Sequence, residues 1–155
     1  MNTKSEGFTI IELLVVVAII AVLAAIVAAN VVNYINRTKN TTVMEDMDAF
    51  SKNAAIYFAG SGNFQNLSTD PSFINATTQV SNLLGVGNST VLFECGGNCL
   101  TNPANSWCYC ANLLGASNIP AGSTYCTDYL GYKKITTTAC NVRCYSSAVT
   151  AFCTD

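Results

Sequence analysis

At 155 residues the chain has room for one domain and an appendage. Charged residues make up only 10% of it, the net charge is −2 and no basic tract occurs, which excludes nucleic-acid binding driven by bulk charge. Histidine is absent, and with it histidine triads, histidine metal sites and the commonest general base.

The first predicted element is an apolar helix. Residues 13–29 are an uninterrupted apolar run, and residues 8–29 are broken only by Thr9 and Glu12. As a helix the longer stretch spans about 33 Å, enough to cross a bilayer. It lacks an A-x-A triplet, and Lys4 is the lone cation before it, so it does not fit a cleaved secretory signal. Glu12 is the costly residue, since a carboxylate at mid-bilayer costs about 2.5–3.5 kcal/mol and calls for a partner. The nearest such partner is a free amine at the start of the helix. That amine exists only if the chain is cut between Gly7 and Phe8. Ala18, Ala21, Ala25 and Ala28 recur at helical spacing and form a stripe of small residues, which lets helices approach closely in lipid.

The stretch Lys4-Ser5-Glu6-Gly7-Phe8-Thr9-Ile10-Ile11-Glu12-Leu13-Leu14-Val15-Val16 resembles the prepilin leader of type IV pilins and pseudopilins. The resemblance implies that a membrane aspartyl protease cuts between Gly7 and Phe8 and methylates Phe8. It further implies that Glu12 sets register when helices bundle. If identical helices stack with an axial stagger, Glu12 of one copy meets the Phe8 amine of the next, and a buried carboxylate needs such pairing. Arg37 and Lys39 follow the apolar run, so the positive-inside count does not favour a cytoplasmic leader, whereas the resemblance and the cysteines do. Many pilins carry a proline near the position of Ala29, and this chain does not.

Beyond Ala29 the pattern turns amphipathic. Val43, Met47, Phe50, Ala54 and Tyr57 recur at steps of four and three, with Glu45, Asp46, Asp48 and Lys52 between them. No glycine or proline lies between Phe8 and Ala59, and Gly60 and Gly62 supply the stop. Residues 8–59 therefore read as one helix of roughly 78 Å. After it, 61–63 and 70–72 read as turns, 72–84 as a short helix, and 89–94, 106–111, 124–129, 134–138 and 148–152 as strands. The predicted fold class is α+β, a long spine packed on a small antiparallel sheet. Residues 125–132 also resemble a cysteine-containing strand and turn of some pilin-like heads.

All eight cysteines fall in the last part of the chain: Cys95, Cys99, Cys108, Cys110, Cys126, Cys140, Cys144 and Cys153. An even count in a small extracytoplasmic head implies four disulfides, with 105 pairings open. A thiolate metal site is the competing reading, weakened by the lack of any C-x2-C spacing. No metal, cofactor or redox catalysis is expected. Asn36, Asn40, Asn66, Asn75 and Asn88 head N-x-S/T triplets and are glycosylation candidates. The scattered carboxylates Asp70, Glu94 and Asp128 do not pair into an acid–base site, so no enzyme is expected. Trp107, Tyr109, Tyr125, Tyr129 and Tyr132 serve the head's core and surface, or a glycan-binding patch.

The expected organisation is a leader at 1–7, a membrane-spanning and filament-core half-helix at 8–33, an amphipathic half at 34–59 and a cysteine-rich head at 60–155. The expected role is a structural subunit of a type IV pilus or pilus-like filament, serving adhesion, motility, DNA uptake or secretion. Its partners would be prepilin peptidase, the assembly machinery, the membrane before assembly and copies of itself, with no nucleic acid. It would sit in the inner membrane, head outside, and then in an extracellular filament. The alternative is a single-pass anchored extracytoplasmic binding protein that never polymerises.

Overall fold

The structure, a computed structural model, describes residues 7–85, 91–95, 104–146 and 150–154. Helix α1 (Ile10–Ser61) is continuous over 52 residues, as expected from a stretch free of helix breakers until Gly60. It ends at Gly62, whose φ of +74° suits a residue without a Cβ and whose N–H donates to the Phe58 carbonyl at 2.7 Å.

The two halves of α1 meet different surroundings. Between residues 10 and 35 every described side chain is exposed. From Asn40 onward, Val43, Met47, Phe50 and Ala54 are buried, following the predicted stripe. Tyr57 is half-buried and donates its hydroxyl to the Gln65 carbonyl at 2.5 Å.

Helix α2 (Pro71–Leu84) packs on α1 through Phe73, Val80 and Leu84. The stretch 70–72, expected as a turn, is the start of this helix. Asp70 caps it, accepting from the Ser72 N–H at 2.8 Å and from the Ser72 hydroxyl. Pro71 occupies the first turn, where its missing N–H costs nothing.

Four strands follow as an antiparallel meander: β1 (Val91–Cys95), β2 (Trp107–Asn112), β3 (Thr124–Asp128) and β4 (Lys133–Thr136). Each lies within two residues of a predicted strand. Strand alternation divides β2 between two cores. Trp107, Tyr109 and Ala111 join the cluster that contains the α1 stripe, while Cys108 and Cys110 join a second cluster. In the first cluster the Phe50 ring contacts Trp107, Tyr109, Phe73 and Phe93 edge-on, with centroids 5.1 to 5.8 Å away.

A short helix α3 (Cys140–Arg143) and a hairpin of β5 (Cys144–Ser146) and β6 (Ala151–Cys153) were not foreseen as a unit; only a strand at 148–152 was expected. They supply the second core together with Cys108, Cys110 and Cys126. Arg143 is fully buried there. Its guanidinium donates to Thr136 Oγ1 and the Tyr132 hydroxyl at 2.8 Å, and to the carbonyls of Thr154 at 3.1 Å and Lys134 at 3.3 Å. A buried charge is tolerable when four of its five N–H groups are matched in this way.

Candidate functional site

The amino-terminal site is built on the first turn of α1. A Cβ placed on Gly7 would meet nothing within 4 Å, and Phe8 is 83% exposed. The bond between them is therefore open to a protease on the side the structure describes. Thr9 is the N-cap, with an extended backbone. Its N–H donates to Glu12 Oε2 at 2.9 Å, its hydroxyl donates to the same oxygen at 2.8 Å, and it accepts from the Glu12 N–H at 3.3 Å. This is a reciprocal capping box, and a carboxylate here also suits the positive end of the helix dipole.

Thr9, which a search for charged partners leaves aside, thus holds the Glu12 carboxylate at the start of the helix. The signal was present as Thr9-Ile10-Ile11-Glu12, the S/T-x-x-E pattern that precedes an apolar run. The box uses Oε2 alone, which leaves Oε1 for a further donor.

Above Glu12, Ala18, Ala21, Ala25 and Ala28 are all exposed on α1. Ala18 lines a shallow apolar groove with Val15, Ile19, Val22 and Leu23. The helix is long and apolar enough to cross a membrane, and none of its apolar window is buried within the chain.

At the other end, the disulfides join Cys108 to Cys144, Cys110 to Cys140 and Cys126 to Cys153, with Cα separations of 5.6, 5.5 and 6.1 Å. Cys95 is also disulfide-bonded, and Cys99 lies outside the described residues. The described cysteines are therefore consumed as staples, which overturns the thiolate-metal alternative for them.

The N-x-S/T asparagines separate into distinct environments. Asn40 is fully buried, and its amide bridges Leu114, donating to the carbonyl at 2.7 Å and accepting from the N–H at 2.8 Å. Asn36, one turn earlier, donates to the Gly115 carbonyl at 2.7 Å. The nitrogen that a glycan would take is engaged in both, so in the folded chain these two residues bracket the β2–β3 connection to the spine. Asn66 and Asn75 are exposed, and Asn88 lies outside the described residues.

Among the aromatics, Trp107 and Tyr109 are core residues. Tyr125 donates to Asp48 Oδ1 at 2.7 Å, and Asp48 Oδ2 pairs with Lys133 at 3.0 Å, tying the spine to β3 and β4. Burial and the neighbouring Asp48 carboxylate push the Tyr125 hydroxyl well above its ordinary range. Asp70, Glu94 and Asp128 are dispersed over α2, β1 and β3, and no two of them bond a common group among the described residues.

The family model of the prokaryotic N-terminal methylation motif, the prepilin motif of type IV pilins and pseudopilins, matches residues 2–28. That span contains Gly7, Phe8, Thr9, Glu12 and the alanine stripe. The motif implies processing by prepilin peptidase and handling by pilus assembly machinery. No curated protein and no solved structure matches the chain.

Proposed function

We propose that this pilin-like or pseudopilin-like protein is a structural subunit of a type IV pilus or pilus-like filament. Prepilin peptidase removes residues 1–7, cutting between Gly7 and Phe8, and Phe8 is methylated. Before assembly, residues 8–33 hold the chain in the inner membrane with the head, 60–155, outside. On assembly these half-helices bundle into the filament core, residues 34–59 carry the head, and the heads form the surface. The alanine stripe provides close approach between helices, and Glu12 takes the Phe8 amine of an adjoining copy.

One observation carries this reading: the apolar half of α1 lies largely within the methylation motif and has nothing of its own chain packed against it among the described residues. A surface of that extent needs lipid or copies of itself. The pairing of Glu12 with an amine is supported by the free Oε1, and by the cost of a carboxylate in an apolar bundle.

The capping box favours one other reading. With Thr9 as partner, Glu12 is partly satisfied inside a single chain, as a non-polymerising anchor would require. Mass spectrometry of protein from cells, together with imaging of sheared surface filaments, separates the two. N-methyl-Phe8 as the first residue, in protein recovered from filaments, is the expected result. An intact Met1 terminus on a chain that stays in the membrane would refute the subunit reading.

A further inference from the structure

After Glu12 the next charged residue along the chain is Arg37, followed by Lys39 and then Glu45. Arg37 and Glu45 are exposed, and neither makes an ion pair among the described residues. They stand eight residues apart on α1, about 12 Å along its axis, twice the spacing at which helical neighbours pair. Their partners must therefore come from elsewhere.

Both share a side of the helix with Glu12. At 3.6 residues per turn, Arg37 lies about 20° around the axis from Glu12, and Glu45 about 60°. The head packs on another side, over Asn40, Val43, Met47, Phe50 and Ala54. Glu45 is roughly opposite that buried stripe, and Arg37 is about a quarter-turn from it. Lys39 is half-buried and about 160° around the axis from Arg37, so Arg37 is the cation on the open face. One side of α1 thus runs past the head carrying an anion, a cation and an anion in turn.

The axial spacing also fits. A copy shifted toward the head by four residues, about 6 Å, brings its Phe8 level with Glu12. A shift of eight residues, about 12 Å, brings its Arg37 level with Glu45. In each pair the anion stands further along the chain than the cation, so one direction of shift serves both and the other separates both. A shift of about 9 Å leaves each pair about 3 Å from level, which extended arginine and glutamate side chains span.

We propose that Glu45 of one copy pairs with Arg37 of the same adjoining copy whose Phe8 amine meets its Glu12. This inference rests on the filament reading above and adds a second register lock to it, about 50 Å further along the helix. Two locks that far apart fix the relative tilt of neighbouring helices, which one pair at the foot does not. The pair also accounts for Arg37 itself. A cation directly beyond the apolar run weighs against a head outside the membrane, and its partner is met only in the assembly.

The test is a charge swap in the full chain, in the cells that make the filament. Arg37→Glu and Glu45→Arg each set like charges opposite one another and are expected to lower the yield of sheared filaments about fivefold or more. The double variant, Arg37→Glu with Glu45→Arg, restores the attraction and is expected to return the yield to within about twofold of the original. The processed terminus and the head's melting, followed by the single tryptophan Trp107, should be unchanged in all three. Imaging of the original filament should place adjoining helices about 6 to 12 Å apart in axial stagger. Normal yield from either single reversal, no recovery in the double variant, or a stagger outside that window would each overturn the proposal. A defect in Arg37→Glu with none in Glu45→Arg would do so by assigning Arg37 to an anionic lipid headgroup. All of these outcomes leave the subunit reading standing. An unprocessed original chain that yields no filaments would overturn both.

Discussion

The two halves of α1 are one helix by backbone and two objects by environment. In residues 10–35 every described side chain is exposed, and most are large and aliphatic. In residues 40–54 a single stripe, Asn40, Val43, Met47, Phe50 and Ala54, is buried against a head that is stapled on its far side by disulfides. The first half gains nothing from its own chain, so its stability as an ordered element comes from what surrounds it. The second half takes its stability from tertiary packing, as most helices in water do. One continuous helix therefore couples a segment that depends on its surroundings to an autonomous one. A change near Glu12 should alter association and spare the head, while a change in the head should alter stability and spare the foot.

The largest expected effect tests the foot. Glu12→Gln keeps the capping box, because glutamine also serves at that position, but removes the charge. Cleavage after Gly7 should persist, while sheared filaments fall more than about tenfold, as expected if a buried amine loses its only counter-ion, a defect of several kcal/mol. Thr9→Val does the reverse. It removes the cap, weakening the first turn by about 1 kcal/mol, and keeps the charge. Quantifying filaments and the processed terminus for both variants decides whether charge or capping governs assembly. Normal filaments from Glu12→Gln would break the coupling of that carboxylate to its neighbour.

The next effect belongs to the head. Replacing Cys126 and Cys153 together by alanine opens a disulfide that spans 27 residues and should destabilise the head by about 2–4 kcal/mol, or roughly 10–25 °C in Tm. Melting followed by Trp107 emission should show the loss, while far-UV circular dichroism in micelles retains the signal of the apolar half-helix. Joint melting of both signals would show that the halves are one cooperative unit.

What was legible in the sequence follows the same division. The spine was readable because the apolar run and the four-and-three stripe from Val43 to Tyr57 each repeat a helical period, with no breaker between them. The four sheet strands were readable from β-branched and aromatic runs between turn residues. The disulfide pairing was not readable, because it depends on tertiary placement. Cys110 lies directly across from Cys126 in the sheet register, yet each bonds outward, to Cys140 and Cys153. Only the position of the α3–β5–β6 unit decides this, and that unit has too few residues per element to show a period. The tie that Asn36 and Asn40 make to the head was not readable for a related reason. They stand four apart on α1 and face the β2–β3 connection, but being polar they fall outside any apolar pattern.

That bracket yields a smaller prediction. Asn40→Ala, at a fully buried position, leaves both the N–H and the carbonyl of Leu114 without their side-chain partner and should cost about 2 kcal/mol, whereas Asn36→Ala, at a half-buried position with one bond, should cost about 1 kcal/mol. Thermal melts of the head compare the two directly. Equal losses would mean that the loop is held by its own packing rather than by the spine.

The smallest effect probes the seam between spine and sheet. Asp46, on the flank of the buried stripe, has a buried oxygen, Oδ2, with no hydrogen-bond partner. Desolvation first, and then the Glu45 charge, hold its carboxyl above the ordinary carboxylate value. The folded chain therefore keeps the Asp46 proton to a higher pH than the unfolded chain does. Across the window from the ordinary value upward, the native state binds more protons, so stability falls as pH rises and the full penalty persists at neutral pH. Asp46→Asn removes the charge, so it should raise neutral-pH stability, by no more than about 0.5 kcal/mol at this half-exposed position. It should also flatten the pH dependence of Tm just above the ordinary carboxylate range. A loss of stability in Asp46→Asn at neutral pH would mean that the carboxylate has a partner on the sheet side, and that the spine is held by charge as well as by the Phe50 ring cluster.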